Sequence, residues 1–149
     1  MYSSDLEAVR RFRAWLSVGD YILRQAASVP GELPQGPVVF VLRAAGVSVA
    51  ALRRALPGVE IDGDLLYVGY SEDLGDHPTG RLHNMRGNDQ TTNVRIREGV
   101  ARIIPVPGAR VELGWRPVGS LHEARELRDE LKREYRRQYG HHLPLNRSG

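Results

Sequence analysis

The sequence contains no cysteine, no long apolar run and almost no lysine. Without cysteine it can form neither a disulfide framework nor a zinc–thiolate site. Without a long apolar run, no segment is predicted to span a membrane. The first residues, MYSSDLEAVRRFRAW, are charged and lack the apolar core of a secretory signal. These absences favour a cytoplasmic protein with no membrane partner.

The basic residues are almost all arginine. Of 21 basic residues only Lys132 is lysine, and the net charge is +3. Guanidinium groups bind phosphate in a planar, bidentate way, which favours a nucleic-acid partner. A GC-rich genome that encodes arginine in place of lysine explains the same composition. A net charge of this size is small for a nucleic-acid-binding domain, so both interpretations stay open.

Three segments have the composition of β-strands. Residues 37–42 and 64–70 are apolar and rich in β-branched side chains, which is typical of buried strands. Residues 110–118 alternate apolar and polar side chains, which predicts a half-exposed strand. Helices are predicted at residues 48–56, 79–86, 91–102 and 121–139, the last one capped by Ser120 and Glu123. The order predicts an α/β fold, a small sandwich with a central three-stranded, mostly antiparallel sheet flanked by helices.

The first 37 residues are predicted to form a helical N-terminal extension and loop. Ser4 and Asp5 can cap a helix, and Val9, Phe12 and Leu16 are spaced along one of its faces. A second helical piece is predicted at residues 21–28, before the loop VPGELPQGP. Residues 38–149 are then the main domain.

A short motif in the second strand suggests a family. Tyr67-Val68-Gly69 is followed by Ser71 and Leu74, and then by Arg81-Leu82. This pattern, together with the order of strands and helices, resembles the GIY-YIG nuclease domain over roughly residues 36 to 146. The resemblance implies a small α/β domain that binds nucleic acid and cleaves phosphodiester bonds with the help of a divalent metal.

The resemblance also assigns roles to individual residues. Tyr67 matches the second tyrosine of the family, and Arg81 matches the arginine that stabilises charge on a phosphate. His83 lies two residues before the position where many relatives carry a histidine. The resemblance therefore implies Tyr67, Arg81 and His83 as catalytic residues, and Gly69 and Asn146 as further residues of the nucleic-acid site.

Two positions depart from the family pattern. Phe40 stands where the first tyrosine is expected, so one hydroxyl is missing. Arg128 stands where the metal-binding glutamate is expected, and a guanidinium repels a divalent cation. Glu126 or Glu130 supplies the carboxylate only if the register of the last helix is misread.

Three functions follow from these residues. The first is a GIY-YIG-like protein that binds DNA or RNA through Arg81, Arg128 and nearby residues, with phosphodiester cleavage lost or weakened and no cofactor. The second is an active DNA endonuclease that requires Mg²⁺. The third is a scaffold reused to bind or process a small anionic molecule. Whether the protein is an enzyme is left open at this point.

Overall fold

A computed structural model describes residues 7–146. The fold is α/β, with four strands in one antiparallel sheet and five α-helices among these residues. The strands are β1 (Arg13–Ser17), β2 (Val38–Ala45), β3 (Leu65–Ser71) and β4 (Arg110–Pro117), and their order across the sheet is β1-β4-β2-β3. The helices are α1 (Gly19–Ile22), α2 (Val49–Ala55), α3 (Arg81–Gly87), α4 (Thr91–Ile103) and α5 (Leu121–Tyr139), and a 3-10 helix spans Glu7–Arg11.

The sheet has a fourth strand, and the expectation of three strands with a purely helical N-terminal extension is wrong. Leu16 pairs with Leu113 of β4, so residues 13–17 form an edge strand. Ala14 and Trp15 have φ angles of 83° and 45°, and the strand register shifts at this point. This irregularity removes the alternation that identifies a strand in sequence. The predicted cap at Ser4 and Asp5 lies outside the described residues.

The second predicted helix of the N-terminal segment is much shorter than residues 21–28. Within residues 21–28, only the last two residues of α1 are in an α-helix. Arg24 has a left-handed backbone with φ of 63°. A non-glycine residue in this region is uncommon and ends a right-handed helix. The strand β4 lies between β1 and β2, so it is more buried than the predicted half-exposed strand.

The sheet separates two apolar clusters, one on each face. On the front face, side chains such as Phe40, Leu42 and Tyr67 pack with residues of α1 to α4. On the back face, side chains such as Val39, Val41 and Val68 pack against α5, whose buried residues are Ala124, Leu131 and Tyr135. The strand β3 contributes to both clusters, with Leu66 and Tyr67 in the front one and Leu65 and Val68 in the back one.

The predicted ends of α5 are confirmed. The Ser120 hydroxyl accepts a hydrogen bond from the Glu123 backbone N–H at 3.1 Å. The Glu123 carboxylate accepts one from the Gly119 N–H at 3.2 Å, one residue before the position of the usual capping box. Gly140 ends the helix in a left-handed conformation with φ of 81°, as glycine commonly does.

Residues 143–146 lie along the outer edge of β3. The Leu145 N–H donates to the Leu66 carbonyl oxygen at 2.8 Å. The Asn146 side-chain amide makes two bonds with Val68, because Oδ1 accepts from its N–H at 2.9 Å and Nδ2 donates to its carbonyl at 3.0 Å. This segment therefore occupies backbone groups that an edge strand otherwise leaves unpaired.

His141 anchors the same segment to the loop before β3. Its Nε2 lies 2.6 Å from Asp62 Oδ2, and its Nδ1 lies 2.7 Å from the His142 carbonyl oxygen. Both ring nitrogens face oxygen acceptors, an arrangement that favours the protonated ring. Burial works against the charge, but the hydrogen bonds to His142 and Asp62 outweigh it and raise the pKa of His141. Within residues 7–146, no helix has the length and apolarity needed to cross a membrane.

Candidate functional site

Tyr67 and Arg81 meet on the front face of the sheet. Tyr67 lies in β3 and is 7% exposed, and Arg81 is the first residue of α3 and is partly exposed. Arg81 Nη2 donates a hydrogen bond to the Tyr67 hydroxyl oxygen at 3.3 Å. The start of α3 is held near the end of β3, because the Arg81 N–H donates to the carbonyl oxygen of Asp73, two residues after the strand, at 2.8 Å. Two residues that the sequence motif pairs are therefore in contact.

Asn93 is a third member of this site. Its Oδ1 accepts from Arg81 Nη1 at 2.5 Å, and the residue is 3% exposed. Its Nδ2 donates to Asn88 Oδ1 at 3.2 Å, and that oxygen also accepts from the Gln90 N–H at 2.7 Å. The chain of bonds orients the Asn93 carbonyl toward Arg81 and so restricts the guanidinium to one direction.

The sequence pattern did not mark Asn93 as a site residue, because it lies near the start of the helix predicted at residues 91–102. The backbone of Gln90 holds the cap position of α4, and Asn93 lies inside the helix. A signal was present, since Asn93 shares the helical spacing of the buried Ile96, Val100 and Ile103. A polar residue in an apolar stripe needs a buried hydrogen-bond partner.

Phe40 and Gly69 complete the apolar side of the site. They are directly paired across β2 and β3. A Cβ at Gly69 would lie 2.6 Å from Phe40 Cζ and 2.7 Å from Tyr67 Cε2, so both rings occupy the space above the glycine. The ring centroids are 5.9 Å apart, and Arg81 Cζ lies 5.8 Å from the Phe40 centroid. Gly69 thus acts through packing, and Phe40 contributes a ring without a hydroxyl.

His83 lies on α3 but does not contact the Tyr67–Arg81 pair. It lines a separate groove of about 400 Å³, which we call the α3 groove. The lining residues include Arg24, His83, Asn84, Arg86, Gly87 and Asn88. Asn88 also bonds to Asn93, so it lies between the groove and Arg81.

Arg128 lies on the back face. Its Cζ is 4.7 Å from the centroid of the Tyr70 ring, and its Nε donates to Asp129 Oδ1 at 2.6 Å. Tyr70 and Tyr67 are three residues apart in one strand, and Tyr70 packs with the back cluster. The structure therefore separates Arg128 from Arg81 by the sheet. Burial and the nearby Arg128 together lower the pKa of Lys132, against the opposing effect of Asp129.

The other predicted positions have different neighbours. Asn146 pairs with the backbone of Val68, as described above. Glu126 and Glu130 are exposed on α5, and Glu126 lies 3.0 Å from the His122 ring nitrogen. Among residues 7–146, no three His, Asp or Glu side chains are grouped as metal ligands. Mg²⁺ prefers carboxylate oxygens, and the named neighbours of Tyr67 and Arg81 do not fit it.

A second groove, of about 710 Å³, lies at the loop that precedes α3. Its lining carries four carboxylates, so we call it the acidic groove: Glu32, Glu72, Asp73 and Asp76, together with His77. Asp73 Oδ1 accepts from the Gly75 N–H at 3.1 Å and lies 2.9 Å from His77 Nε2. Four carboxylates in one lining are unfavourable for the binding of a phosphate.

Comparison with protein-family models, with curated proteins and with solved structures gives no match. The site consists of one hydroxyl and one guanidinium in contact, with the guanidinium also bonded to the buried amide of Asn93 and with grooves of opposite charge nearby.

Proposed function

We propose that the protein is a GIY-YIG-like nucleic-acid-binding protein whose phosphodiester cleavage is lost or weakened. The observation that carries the proposal is the set of partners around Arg81. Its guanidinium donates to the Tyr67 hydroxyl and to the Asn93 carbonyl, and both of these oxygens are neutral. The positive charge is oriented but not neutralised by these partners, which is what an anion-binding arginine requires.

The remaining donors of Arg81 suit a phosphate oxygen. A guanidinium has more N–H groups than these two bonds use, and Arg81 is partly exposed. Because two bonds already restrict its rotamer, less side-chain entropy is lost when the phosphate binds. Both DNA and RNA carry the phosphodiester group that this interaction recognises.

Loss or weakening of cleavage is supported by the groups beside Tyr67. Hydrolysis of a phosphodiester needs a base for the attacking water and cations that stabilise the transition state. Arg81 supplies one cation and Tyr67 one hydroxyl, while Phe40 supplies none. Arg128, at the position of the expected glutamate, carries the wrong charge and lies on the other face.

Titration of labelled DNA and RNA at several salt concentrations tests binding. We expect the logarithm of the association constant to fall linearly with the logarithm of salt concentration. Arg81→Ala should weaken binding by about tenfold or more, the loss expected for a hydrogen-bonded charge. Affinity that is independent of salt, or unaffected by Arg81→Ala, contradicts the proposal.

Incubation with supercoiled plasmid tests the statement on cleavage. We expect no nicking, or very slow nicking, with and without added Mg²⁺. Tyr67→Phe is the matched control, because it removes only the hydroxyl. Rapid Mg²⁺-dependent nicking that Tyr67→Phe abolishes would show an active endonuclease.

A further inference from the structure

The two grooves near Arg81 have opposite charge, and this contrast favours one path for a bound nucleic-acid strand. The acidic groove precedes α3 in the chain and carries four carboxylates. The α3 groove follows Arg81, and its lining contains arginine, histidine and asparagine but no carboxylate. A strand whose phosphate is bound at Arg81 is repelled by the first groove and attracted by the second.

Arg24 is held at the α3 groove by an unusual backbone. Its φ is 63°, in the left-handed region that side chains other than glycine rarely adopt. Its Nε donates to the Arg86 carbonyl oxygen at 3.1 Å, near the end of α3. Such conformations cost free energy and are frequent where a side chain contacts a ligand.

Gly87 leaves the space that the Arg24 guanidinium occupies. A Cβ at Gly87 would collide with Arg24 Nη2. The last turn of α3 tolerates other residues well, and glycine there lowers helix stability. The left-handed Arg24 and the bare Gly87 are independent features that place one guanidinium at the same spot.

The other arginine of the groove has a structural role. Arg86 Nε donates to the Tyr21 carbonyl oxygen at 2.9 Å and Nη2 to the Ala26 carbonyl oxygen at 3.1 Å. Its Cζ lies 4.3 Å from the centroid of the Tyr21 ring. Arg86 therefore fixes one wall of the groove, and the other polar side chains of its lining include Arg24, His83 and Asn84.

Hydrogen bonds link the lining of the groove to the Arg81 site. Asn88 lines the groove and accepts from Asn93, whose other amide atom accepts from Arg81. Arg24 lines the same groove as Asn88. A volume of about 400 Å³ lies within the range of small-ligand sites.

We propose that the α3 groove is a subsite for a second phosphate of the same nucleic-acid strand, bound by Arg24 and His83. This inference rests on the proposed function, because it extends the strand that Arg81 binds. It gives His83 a binding role in a place distinct from Tyr67. In the simpler alternative, Arg24 only satisfies a carbonyl at the end of α3.

Gly87→Ala provides the sharpest test, because it displaces the Arg24 guanidinium without changing the charge of the protein. The atom that the new Cβ meets is the end of a flexible side chain, so the fold is retained. The probe is fluorescein-labelled oligo(dT) or oligo(U) of about ten nucleotides, a length typical of single-strand sites. Arg24→Ala and His83→Ala remove the ligands themselves.

We expect Gly87→Ala and Arg24→Ala each to weaken binding by about three- to tenfold, with a salt slope that is shallower by about 0.7 for a lost phosphate contact. His83→Ala should weaken binding by a smaller factor. Arg133→Ala is the matched control, since Arg133 is exposed on α5 behind the sheet. It should leave affinity within about twofold, as expected for diffuse charge at a distance.

The outcomes separate the two proposals. If wild-type binding is salt-dependent and Arg81→Ala weakens it, but Gly87→Ala does not, the subsite is overturned and the Arg81 site stands. Equal effects of Arg24→Ala and Arg133→Ala also overturn the subsite, because they indicate diffuse attraction. If the wild-type protein does not bind either probe in a salt-dependent way, the proposed function itself fails.

Discussion

The two faces of the sheet each carry an arginine beside a tyrosine of β3, yet the two pairs differ in charge balance. On the front face, Arg81 bonds to two neutral oxygens, those of Tyr67 and Asn93. On the back face, Arg128 bonds to the carboxylate of Asp129 and stacks on Tyr70. The comparison teaches that residue type alone does not identify an anion site. The partners decide whether the charge is still available.

The largest expected effect is the loss of stability when the back face is opened. Tyr135→Ala removes a ring that is 1% exposed and lies 4.7 Å from the Tyr139 ring centroid. We expect the free energy of unfolding to fall by about 3–5 kcal/mol, as for other buried aromatic residues. Urea denaturation measures this change, and Tyr135→Phe should stay within about 1 kcal/mol of wild type. Nucleic-acid affinity of the folded variant should not change, and a loss there would break the separation of the faces.

The second prediction compares the two arginines directly. Arg81→Ala should cost about 1.5–3 kcal/mol of binding free energy, the range for hydrogen bonds to charged groups. Arg128→Ala should cost less than about 0.5 kcal/mol, because its charge is already paired with Asp129. Anisotropy titrations of both variants at one salt concentration check this. Similar losses for the two variants would show that both faces bind the strand.

The third prediction makes the front face resemble the back face. Asn93→Asp places a carboxylate where the Arg81 guanidinium now meets a neutral oxygen. The new ion pair should weaken nucleic-acid binding by about three- to tenfold, less than removal of Arg81. The double variant Arg81→Ala/Asn93→Asp should bind no more weakly than Arg81→Ala alone. Unchanged affinity of Asn93→Asp would contradict the role of the neutral partners.

The smallest expected effect is a pH dependence of stability that comes from His141, which joins the last described residues to the loop before β3. The pKa of His141 is raised in the folded protein, so its contribution is complete below the ordinary value of 6.5 and is lost as pH rises through the raised pKa. The pKa of His142 is lowered by burial and by Arg136, Lys132 and His141. His142 therefore destabilises the folded protein as the pH falls below 6.5, which opposes the effect of His141.

Urea denaturation midpoints measured below and above pH 6.5 test the contribution of His141 to stability. The wild-type midpoint should fall as pH increases above 6.5, and His141→Gln should lose that fall. The groups that face His141 are Asp62, Glu60, His142 and the rings of Tyr135 and Tyr139. His142→Gln, which leaves the Asp62 contact intact, should keep the fall. A wild-type profile that is flat above pH 6.5 contradicts the prediction.

Local patterns in the sequence predicted most of the elements. The apolar runs predicted β2 and β3, and the capping residues predicted α5 between Ser120 and Gly140. The strand β1 was missed because its evidence is not local. Val9, Phe12 and Leu16 have helical spacing, whereas pairing with Leu113 depends on a residue almost a hundred positions away. The positive φ angles of Ala14 and Trp15 also interrupt the two-residue alternation by which a strand is recognised in a sequence.

The site was predictable only in part. The motif predicted that Tyr67, Gly69 and Arg81 lie together, because the first two share one strand and Arg81 begins the next helix. The position of Arg128 was not predictable, since the face on which α5 packs depends on the whole sheet. Asn93 was recognisable in principle as a polar residue in an apolar stripe, although its partner Arg81 lies in another helix.

The Asn146 amide that pairs with Val68 has a consequence for self-association. It imitates a neighbouring strand and covers part of the β3 edge, together with Leu145. An uncovered edge strand is a template on which a second chain can extend the sheet. The pairing therefore disfavours extension of the sheet by a second chain at the β3 edge. A protein in which Asn146 is replaced by an aliphatic residue should form larger particles at high concentration.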